Sequence, residues 1–230
     1  MAQGGYAQFC PVAMAAEVLC SRWTIVLLRE LIFGTTRFND LRRGLPRMSP
    51  ALLSQRLKEL EAAGVIRRTA GPGNSSEYRL TAAGEELRPI VEAMGMWGQR
   101  WIDSDLSLQH LDAQLLMWDM RRRLNLDPMP RRRSVIQFQY PERPATERCW
   151  WLVVEPGEAV DLCSVDPGFD VDLYVSSDLR TMTAIWMGYD TLRGAIASER
   201  LTLIGDRELA SNMQAWLGLS TLAPVERMAS

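Results

Sequence analysis

The sequence predicts an α+β protein with two domains, and three observations lead to that prediction. The chain has 230 residues, of which 47% are hydrophobic, which is enough for one large core or two smaller ones. Up to about residue 102, apolar residues recur mostly at helical spacing, with one hairpin signal. Beyond residue 133, strand-like segments come first and helical segments follow, as in an α+β domain.

The helical half begins with four predicted helices. Segment 11–19 (PVAMAAEVL) is short, and segment 22–31 (RWTIVLLREL) is apolar on nearly every side, so we expect it to be buried. Segments 37–45 (RFNDLRRGL) and 49–63 follow, with the tight link PRM between them. Two short helices joined by such a turn form a helix-turn-helix.

Segment 49–63 carries its own start and stop signals. Ser49 can cap the helix, Pro50 suits its first position, and Gly64 ends it. One face is apolar and the other polar, and the spacing of the leucines predicts which face is buried. The apolar face consists of Leu53, Leu57 and Leu60.

A hairpin and a last helix complete this half. The segments VIRRT and EYRLT flank the turn-rich loop AGPGNSS, which predicts a hairpin. Thr81 can cap a further helix that runs to Trp101, with apolar spacing suited to packing along a partner helix. Helices, a helix-turn-helix and a hairpin, in this order, make a winged-helix domain. In that domain the second helix of the turn enters the major groove of DNA.

Charge supports a nucleic-acid partner for this half. Residues 1–102 carry 13 basic and nine acidic side chains, whereas residues 103–230 carry 13 basic and 19 acidic ones. From Arg37 to Arg68 there are eight basic residues and three acidic ones, a modest surplus that can attract phosphates.

The polar face of segment 49–63 is therefore expected to contact DNA, and the hairpin with it. The alternative for a lone helix is a solvated face, but the order of elements and the local charge favour DNA. The predicted DNA-binding residues are Arg47, Ser49, Ser54, Gln55, Arg56, Lys58, Arg67, Arg68, Asn74 and Ser75.

The remaining chain is predicted as a helical linker at 103–133 and a domain at 134–230. The linker contains an amphipathic helix, LQHLDAQLLMWDMRRRL, and a Pro-rich connector. The domain has strands at SVIQFQY, CWWLVVE, AVDLCS, VDLYVS and RLTLIG. Its helices are expected at 178–187, 191–198 and 208–217.

A family resemblance sharpens the prediction for the first half. The run CPVAMAAEVLCSRWTIVLLRELIFGTTRFNDLRRGLPRMSPALLSQRLKELEAAGVIRR, followed by YRLTAAGEELRPIVEAMGMWG, resembles the HxlR family of winged-helix transcriptional regulators over roughly residues 9–102. The resemblance implies a domain at 1–102 that forms homodimers and binds inverted repeats in double-stranded DNA. It places the recognition helix at 49–63 and the wing tip at 71–76. The helix ending at Trp101 would join segment 11–19 in the dimer interface.

The second half is similar to the sterol-carrier-protein-like domains fused to some such regulators. The similarity lies in element order and apolar character, as in WWLVVEPGEAVDLCSVDPGFDVDLYVSSDLRTMTAIWMGYDTLRGAI and WLGLS. It implies an α+β domain with a cavity for an apolar small molecule, and ordinary core packing is the alternative for each aromatic residue. The predicted lining residues are Trp118, Phe138, Tyr140, Trp150, Trp151, Trp186, Met187 and Trp216.

Cys10 is a predicted redox-sensing residue. It precedes Pro11 at the start of a helix, where the helix dipole favours a thiolate. Some HxlR-type regulators use a cysteine at this Cys-Pro position to sense oxidants or electrophiles, so the resemblance implies such a role. A small packing residue at the dimer face is the alternative.

Catalytic chemistry is not indicated. The four cysteines form no CxxC pair and there is one histidine, so we expect no metal. No phosphate-binding, hydrolase or metalloprotease motif is present, and we expect no catalytic site and no cofactor.

No membrane segment is expected either. The longest apolar run is too short for a bilayer, and no secretory signal is visible, so a cytoplasmic location is expected. The expected function is a homodimeric DNA-binding transcriptional regulator whose second domain senses an apolar small molecule. The alternative is a lipid-binding or carrier protein whose helical half only dimerises.

Overall fold

The computed structural model describes residues 5–71 and 75–228 and shows a mixed α+β chain. It divides into two compact units, Met1–Gly95 and Met96–Ser230. The first unit contains the helix-turn-helix and its wing, and the second contains the larger sheet. The domain boundary was predicted at residue 102, whereas the division falls earlier, inside a continuous helix.

The first unit has the element order predicted for a winged-helix domain. Its elements are α1 (Pro11–Leu19), α2 (Thr24–Ile32), α3 (Phe38–Gly44), α4 (Pro50–Ala62), β1 (Ile66–Ala70), β2 (Ser76–Leu80), α5 (Ala82–Glu85) and the start of α6 (Arg88–Trp101). The helix-turn-helix is formed by α3 and α4, and β1 pairs with β2 as an antiparallel hairpin.

Local chemistry explains the bounds of α4. The Oγ of Ser49 accepts a hydrogen bond from the backbone N–H of Leu52 at 3.3 Å, which caps the helix. At the other end Gly64 has φ of 72°, a left-handed conformation that suits glycine and turns the chain into β1. The leucines of the predicted apolar face are 0–1% exposed and lie in the core of the unit.

The hairpin is fixed to the start of α3. The backbone N–H of Tyr78 donates to the carbonyl of Thr36 at 2.8 Å, and Arg37 forms an isolated β-bridge with Glu77. The segment before α3 thus runs beside β2 as a short third strand. Strand β2 therefore has backbone partners on both sides, β1 on one and the segment before α3 on the other.

The helix expected from Thr81 to Trp101 is divided into α5 and α6. Thr81 caps α5 by accepting from the backbone N–H of Gly84. Pro89 is the second residue of α6. Proline lacks the N–H that a helix interior needs and fits in a first turn, which explains a new helix start at this point.

The second unit is built on a five-stranded sheet. Its remaining elements are α7 (Ser104–Ser107), α8 (Ala113–Arg123), β3 (Ser134–Gln139), α9 (Ala145–Arg148), β4 (Cys149–Val154), β5 (Asp161–Cys163), β6 (Leu173–Ser177), α10 (Leu179–Trp186), α11 (Leu192–Ala197), β7 (Leu201–Gly205), α12 (Arg207–Ser211) and α13 (Met213–Leu217). The strand order is β5-β4-β3-β6-β7. Only the pairing of β3 with β6 is parallel among these neighbours.

One face of this sheet packs against helices in a single apolar cluster. Strand residues such as Ile136 and Phe138 meet residues of α8, α10, α11, α12 and α13 there. Helix α8 contributes Met117 and Trp118, both at most 1% exposed. The prediction treated 103–133 as a linker, but α8 packs as part of the second unit's core.

Two helices differ in extent from the sequence prediction. The amphipathic helix begins at Ala113, because Asp112 caps it by accepting from the backbone N–H of Leu115 at 3.0 Å. The helix expected at 208–217 is divided at Asn212 into α12 and α13. In the resulting arrangement the indole N–H of Trp216 donates to the carbonyl of Leu209 at 2.7 Å.

Membrane-spanning potential is limited in the part of the chain that the structure describes. There, no single helix is long and apolar enough to cross a membrane. Helices α1 and α2 have the necessary length and composition only when taken together, and they are bent by 81° at the break between them.

Candidate nucleic-acid interface

The polar face of α4 is accessible on the surface of the first unit. Gln55 and Lys58 are exposed, and Ser54 is half-buried, while the leucines of the opposite face are buried. The helix has 13 residues, which is more than three turns. Side chains of this kind can donate and accept hydrogen bonds at base edges or phosphates.

Arg56 is placed differently from the other side chains of this face. Its Nε donates to the carbonyl of Arg22 at 3.2 Å, its guanidinium pairs with Glu59, and the side chain is 16% exposed. It therefore links α4 to the turn before α2. Arg56 was predicted to contact DNA directly, whereas these contacts suit a residue that orients α4.

Glu59 joins Arg56 to the exposed part of the face. Its Oε1 accepts from the Nε2 of Gln55 at 2.9 Å. Desolvation raises the pKa of Glu59, but the hydrogen bonds from Gln55 and Arg56 outweigh it and hold the pKa below its ordinary value. The lowered pKa favours the ionised carboxylate, which accepts the hydrogen bond from the amide of Gln55.

The turn before α4 contributes two further predicted residues. Arg47 is exposed in that turn. Ser49 is exposed as well, but its Oγ caps the helix by accepting from Leu52. A hydroxyl in this position can still donate its own hydrogen to a phosphate, because the capping bond uses only one of its lone pairs.

The wing presents its arginines on two faces. Arg67 and Arg68 are both exposed on β1, and successive residues of a strand point to opposite sides. The guanidinium of Arg68 donates from Nε and Nη2 to the Oγ of Ser76, at 2.9 and 2.7 Å. Ser75 is half-buried at the end of the loop. Asn74 lies outside the residues that the structure describes.

Arg37 was not among the predicted DNA-binding residues, yet it lies beside the wing. It precedes α3, is 54% exposed, and its Nε is 3.7 Å from the Oε1 of Glu77. The basic stretch that begins at this residue was the available signal in the sequence. Its proximity to the hairpin depends on the strand-like segment before α3, which no short pattern predicts.

Cys10 occupies the N-cap position of α1. The backbone N–H groups of Ala13 and Val12 lie at the thiol and lower the pKa of Cys10, although no contact there meets the geometry of a capping hydrogen bond. The residue is half-buried and forms no disulfide. A lowered pKa enlarges the thiolate fraction, which is the reactive form.

The predicted ligand-lining residues lie almost all in the packed interior of the second unit. Trp118, Phe138, Tyr140, Trp150, Trp186 and Trp216 belong to the apolar cluster, and Met187 packs against it. The hydroxyl of Tyr140 donates to the sulfur of Met117 at 3.1 Å. Burial, with a smaller contribution from the charge of Glu142, raises the pKa of Tyr140, so the phenol stays neutral.

Trp151 is the exception among these residues. It neighbours Trp150 on β4, and alternate residues of a strand face opposite sides of the sheet. Trp151 is 8% exposed but is not part of the cluster that contains Trp150. It therefore cannot line the same interior as the other predicted residues.

Metal binding has no support among residues 5–71 and 75–228. Within these ranges no group of three or more His, Cys, Asp or Glu side chains could hold a metal ion.

Comparison with known proteins identifies the first half of the chain. The model of the HxlR-like helix-turn-helix family matches residues 18–106. The uncharacterized HTH-type transcriptional regulator YvaP of Bacillus subtilis (strain 168) is 37% identical over 99 residues, which cover 42% of this chain and 92% of YvaP. The uncharacterized HTH-type transcriptional regulator sll1512 of Synechocystis sp. (strain ATCC 27184 / PCC 6803 / Kazusa) is 37% identical over 98 residues, or 42% of this chain and 73% of sll1512.

Solved structures give similar coverage. The redox regulator HypR in its oxidized form is 37% identical, covers 39% of this chain and 95% of its own, and has a TM-score of 0.37. PA1607, described as a putative transcription factor, is 32% identical, covers 40% of this chain and 66% of its own, and has a TM-score of 0.39. On the match to the family model and the identity with YvaP, the chain belongs to the HxlR-like helix-turn-helix family.

Proposed function

We propose that the protein is a DNA-binding transcriptional regulator and not an enzyme. The observation that carries this proposal is the match of its helix-turn-helix unit, over most of the relative's length, to HTH-type transcriptional regulators. The exposed polar face of α4 and the basic wing support it, because they supply base-contacting and phosphate-contacting side chains on one unit.

In this proposal the residues have three roles. Gln55 and Ser54 contact base edges, and Arg56 orients α4. The residues that contact phosphates are Arg47, Ser49 and Lys58 and, on the wing, Arg67, Arg68, Asn74 and Ser75.

A homodimer that binds an inverted repeat is the proposed active form. Helix α1 and the residues before it expose Phe9, Val12 and Met14 at 98, 76 and 58%. Helix α6 exposes Trp97 and Trp101 at 61 and 51%. Apolar side chains of this size are seldom left in water in such density, and burial between two copies would remove them from it.

The test of the function begins with selection of binding sequences from a pool of random DNA duplexes. We expect the recovered sequence, here called the operator, to have two-fold symmetry. The full-length protein should bind it at least about a thousandfold more tightly than a scrambled duplex, as is typical of specific binders. Equal affinity for both duplexes would contradict the proposal. It would favour a carrier protein whose first unit only dimerises.

We also propose that the second unit, similar in element order to sterol-carrier-protein-like domains, binds an apolar small molecule. Its apolar interior supports this, because it is rich in aromatic side chains, whose wide surfaces suit contact with such a ligand. A ligand that binds only the folded state raises stability by about 2.7 kcal/mol at a hundredfold excess over its Kd.

Thermal-shift screening with fatty acids, sterols and aromatic metabolites tests this second proposal. We expect at least one compound that raises the melting temperature and also changes operator affinity. A compound that stabilises the protein without altering operator affinity would argue against a sensor, because a ligand with equal affinity for both states shifts nothing. A screen without any stabilising compound would contradict ligand binding itself.

A further inference from the structure

An open cleft of about 560 Å³ lies in the first unit, between the start of α3 and the wing. One wall comes from α3 and the residue before it, and the other comes from β1, β2 and the end of the loop that joins them. Its lining includes the polar or charged residues Arg37, Asn39, Asp40, Arg43, Arg68, Ser75 and Ser76. Three of these side chains are guanidinium groups, two from α3 and the residue before it and one from β1.

The two walls are held at a fixed spacing. The backbone hydrogen bond from Tyr78 to Thr36 and the bridge between Arg37 and Glu77 tie the start of α3 to β2. The cleft is therefore formed before any ligand arrives. A preformed site loses little conformational freedom on binding.

Among its described lining residues the cleft has a surplus of positive charge, because Arg37, Arg43 and Arg68 stand against Asp40. Glu77 is shared by two arginines, Arg37 at 3.7 Å and Arg79 at 2.6 Å, so one carboxylate faces two guanidinium groups. Arg43 is 51% exposed, and its Nη1 lies 3.9 Å from the Oδ1 of Asp40, at the outer limit of an ion pair. The guanidinium of Arg68 donates to the neutral hydroxyl of Ser76.

Guanidinium groups, serine hydroxyls and an asparagine amide are the donors that proteins use for phosphate oxygens. The cleft lies beside the wing, which is proposed to contact DNA, so the phosphate is expected to belong to a DNA backbone. We propose that this cleft binds a backbone phosphate of duplex DNA, so that α3 and the wing hold the DNA beside the bases that α4 contacts. The proposal rests on the proposed function and adds Arg37, Asn39, Arg43 and Ser76 to the DNA-contacting set.

The test measures the affinity of the full-length protein for a labelled random-sequence duplex at a series of NaCl concentrations. Each phosphate that a cationic side chain neutralises adds about 0.9 to the slope of log affinity against log salt. We expect Arg43→Ala and Arg68→Ala each to make that slope about 0.9 less steep, because each variant loses one cationic side chain that neutralises a phosphate. Arg43→Lys and Arg68→Lys should retain most of the slope, because lysine keeps the charge.

Arg42→Ala is the matched control. Arg42 is exposed on the same helix as Arg43 but does not line the cleft, so this variant should keep the wild-type slope. Arg37 stays unchanged in the test, because its pair with the buried Glu77 gives it a structural role.

Three outcomes would overturn the assignment. Slopes for Arg43→Ala and Arg68→Ala equal to that of Arg42→Ala would remove the cleft from the interface while leaving the proposed function intact. Saturable stabilisation by inorganic phosphate alone, absent in both variants and with an unchanged duplex slope, would make the cleft a free-anion site. A wild-type protein that binds no duplex would contradict the proposed function as well.

Discussion

Gln55 is the side chain of α4 that the proposed function assigns, with Ser54, to contacts with base edges. It is exposed, and its Nε2 donates a hydrogen bond to Glu59 at 2.9 Å. We expect Gln55→Ala to weaken binding to the selected operator by about 1–3 kcal/mol, measured by fluorescence anisotropy, because a bidentate base contact has that value.

Lys58→Ala is the matched comparison for Gln55. Lys58 is exposed on the same helix, and its loss should weaken operator and scrambled duplexes alike. If Gln55→Ala also weakened both duplexes equally, Gln55 would be a phosphate-contacting residue instead of a base-contacting one.

Cys10 is expected to react as a thiolate at a lower pH than an ordinary cysteine. Because its pKa is lowered by backbone N–H groups, its alkylation rate should rise below the usual midpoint of about 8.5. If this thiol is a sensor, diamide should change the operator affinity of the wild type and leave Cys10→Ser unaffected.

Cys20→Ser controls for the other cysteine of this region, since Cys20 is exposed ten residues further on. It should respond to diamide like the wild type. An insensitive wild type would leave Cys10 as a packing residue and end the redox hypothesis.

At the level of elements, the contact between α2 and α3 depends on a glycine. A Cβ at Gly44 would overlap the Oε2 of Glu30, whose carboxylate is fully buried. That carboxylate is fixed by Arg29 at 2.7 Å and by the hydroxyl of Thr35 at 3.3 Å. It therefore has little room to move.

We expect Gly44→Ala to lower the free energy of unfolding by about 1–3 kcal/mol, the usual effect of overpacking, as measured by urea denaturation. Arg42→Ala, two residues earlier and exposed, should stay within about 0.5 kcal/mol of the wild type. Equal stability of the two variants would show that Glu30 can leave its position.

The helices and the hairpin of the first unit were predictable because their signals are local. Leucine spacing indicated the buried face of α4, Ser49 and Gly64 marked its ends, and turn residues indicated the hairpin. The orientation of Arg56 was not predictable, because it depends on the carbonyl of Arg22, 34 residues away. The opposite placement of Trp150 and Trp151 could have been inferred from strand alternation alone.

At the scale of the whole molecule, the proposed dimer depends on the exposed apolar residues of α1 and α6, which would form its interface. Trp97→Ser should weaken self-association by about 2 kcal/mol or more if the indole is a central interface contact, as measured by sedimentation equilibrium. Ile204→Ser is the control, because Ile204 is similarly exposed, at 64%, on β7. A monomeric wild type, or a Trp97 variant that associates normally, would contradict this interface.

The domain organisation was harder to predict than the elements. The amphipathic pattern of α8 showed that one face must be buried, but periodicity does not say against which partner. Packing of Met117 and Trp118 with the sheet of the second unit involves contacts distant in sequence. Such contacts are determined by the tertiary fold, and no local signal encodes them.

The packing of α8 also determines which truncated fragments of the chain can fold and which sites a protease can reach. A fragment that starts at Ser134 would lose Met117, Trp118 and Met120, all at most 1% exposed, and would present their binding surface to water. We expect that fragment to aggregate, while one that starts at Asp112 keeps the helix cap and folds. The Pro-rich stretch at 127–131 looks like a protease-sensitive joint, but Met129 within it is buried. Limited proteolysis should therefore leave residues 112–228 as one resistant piece.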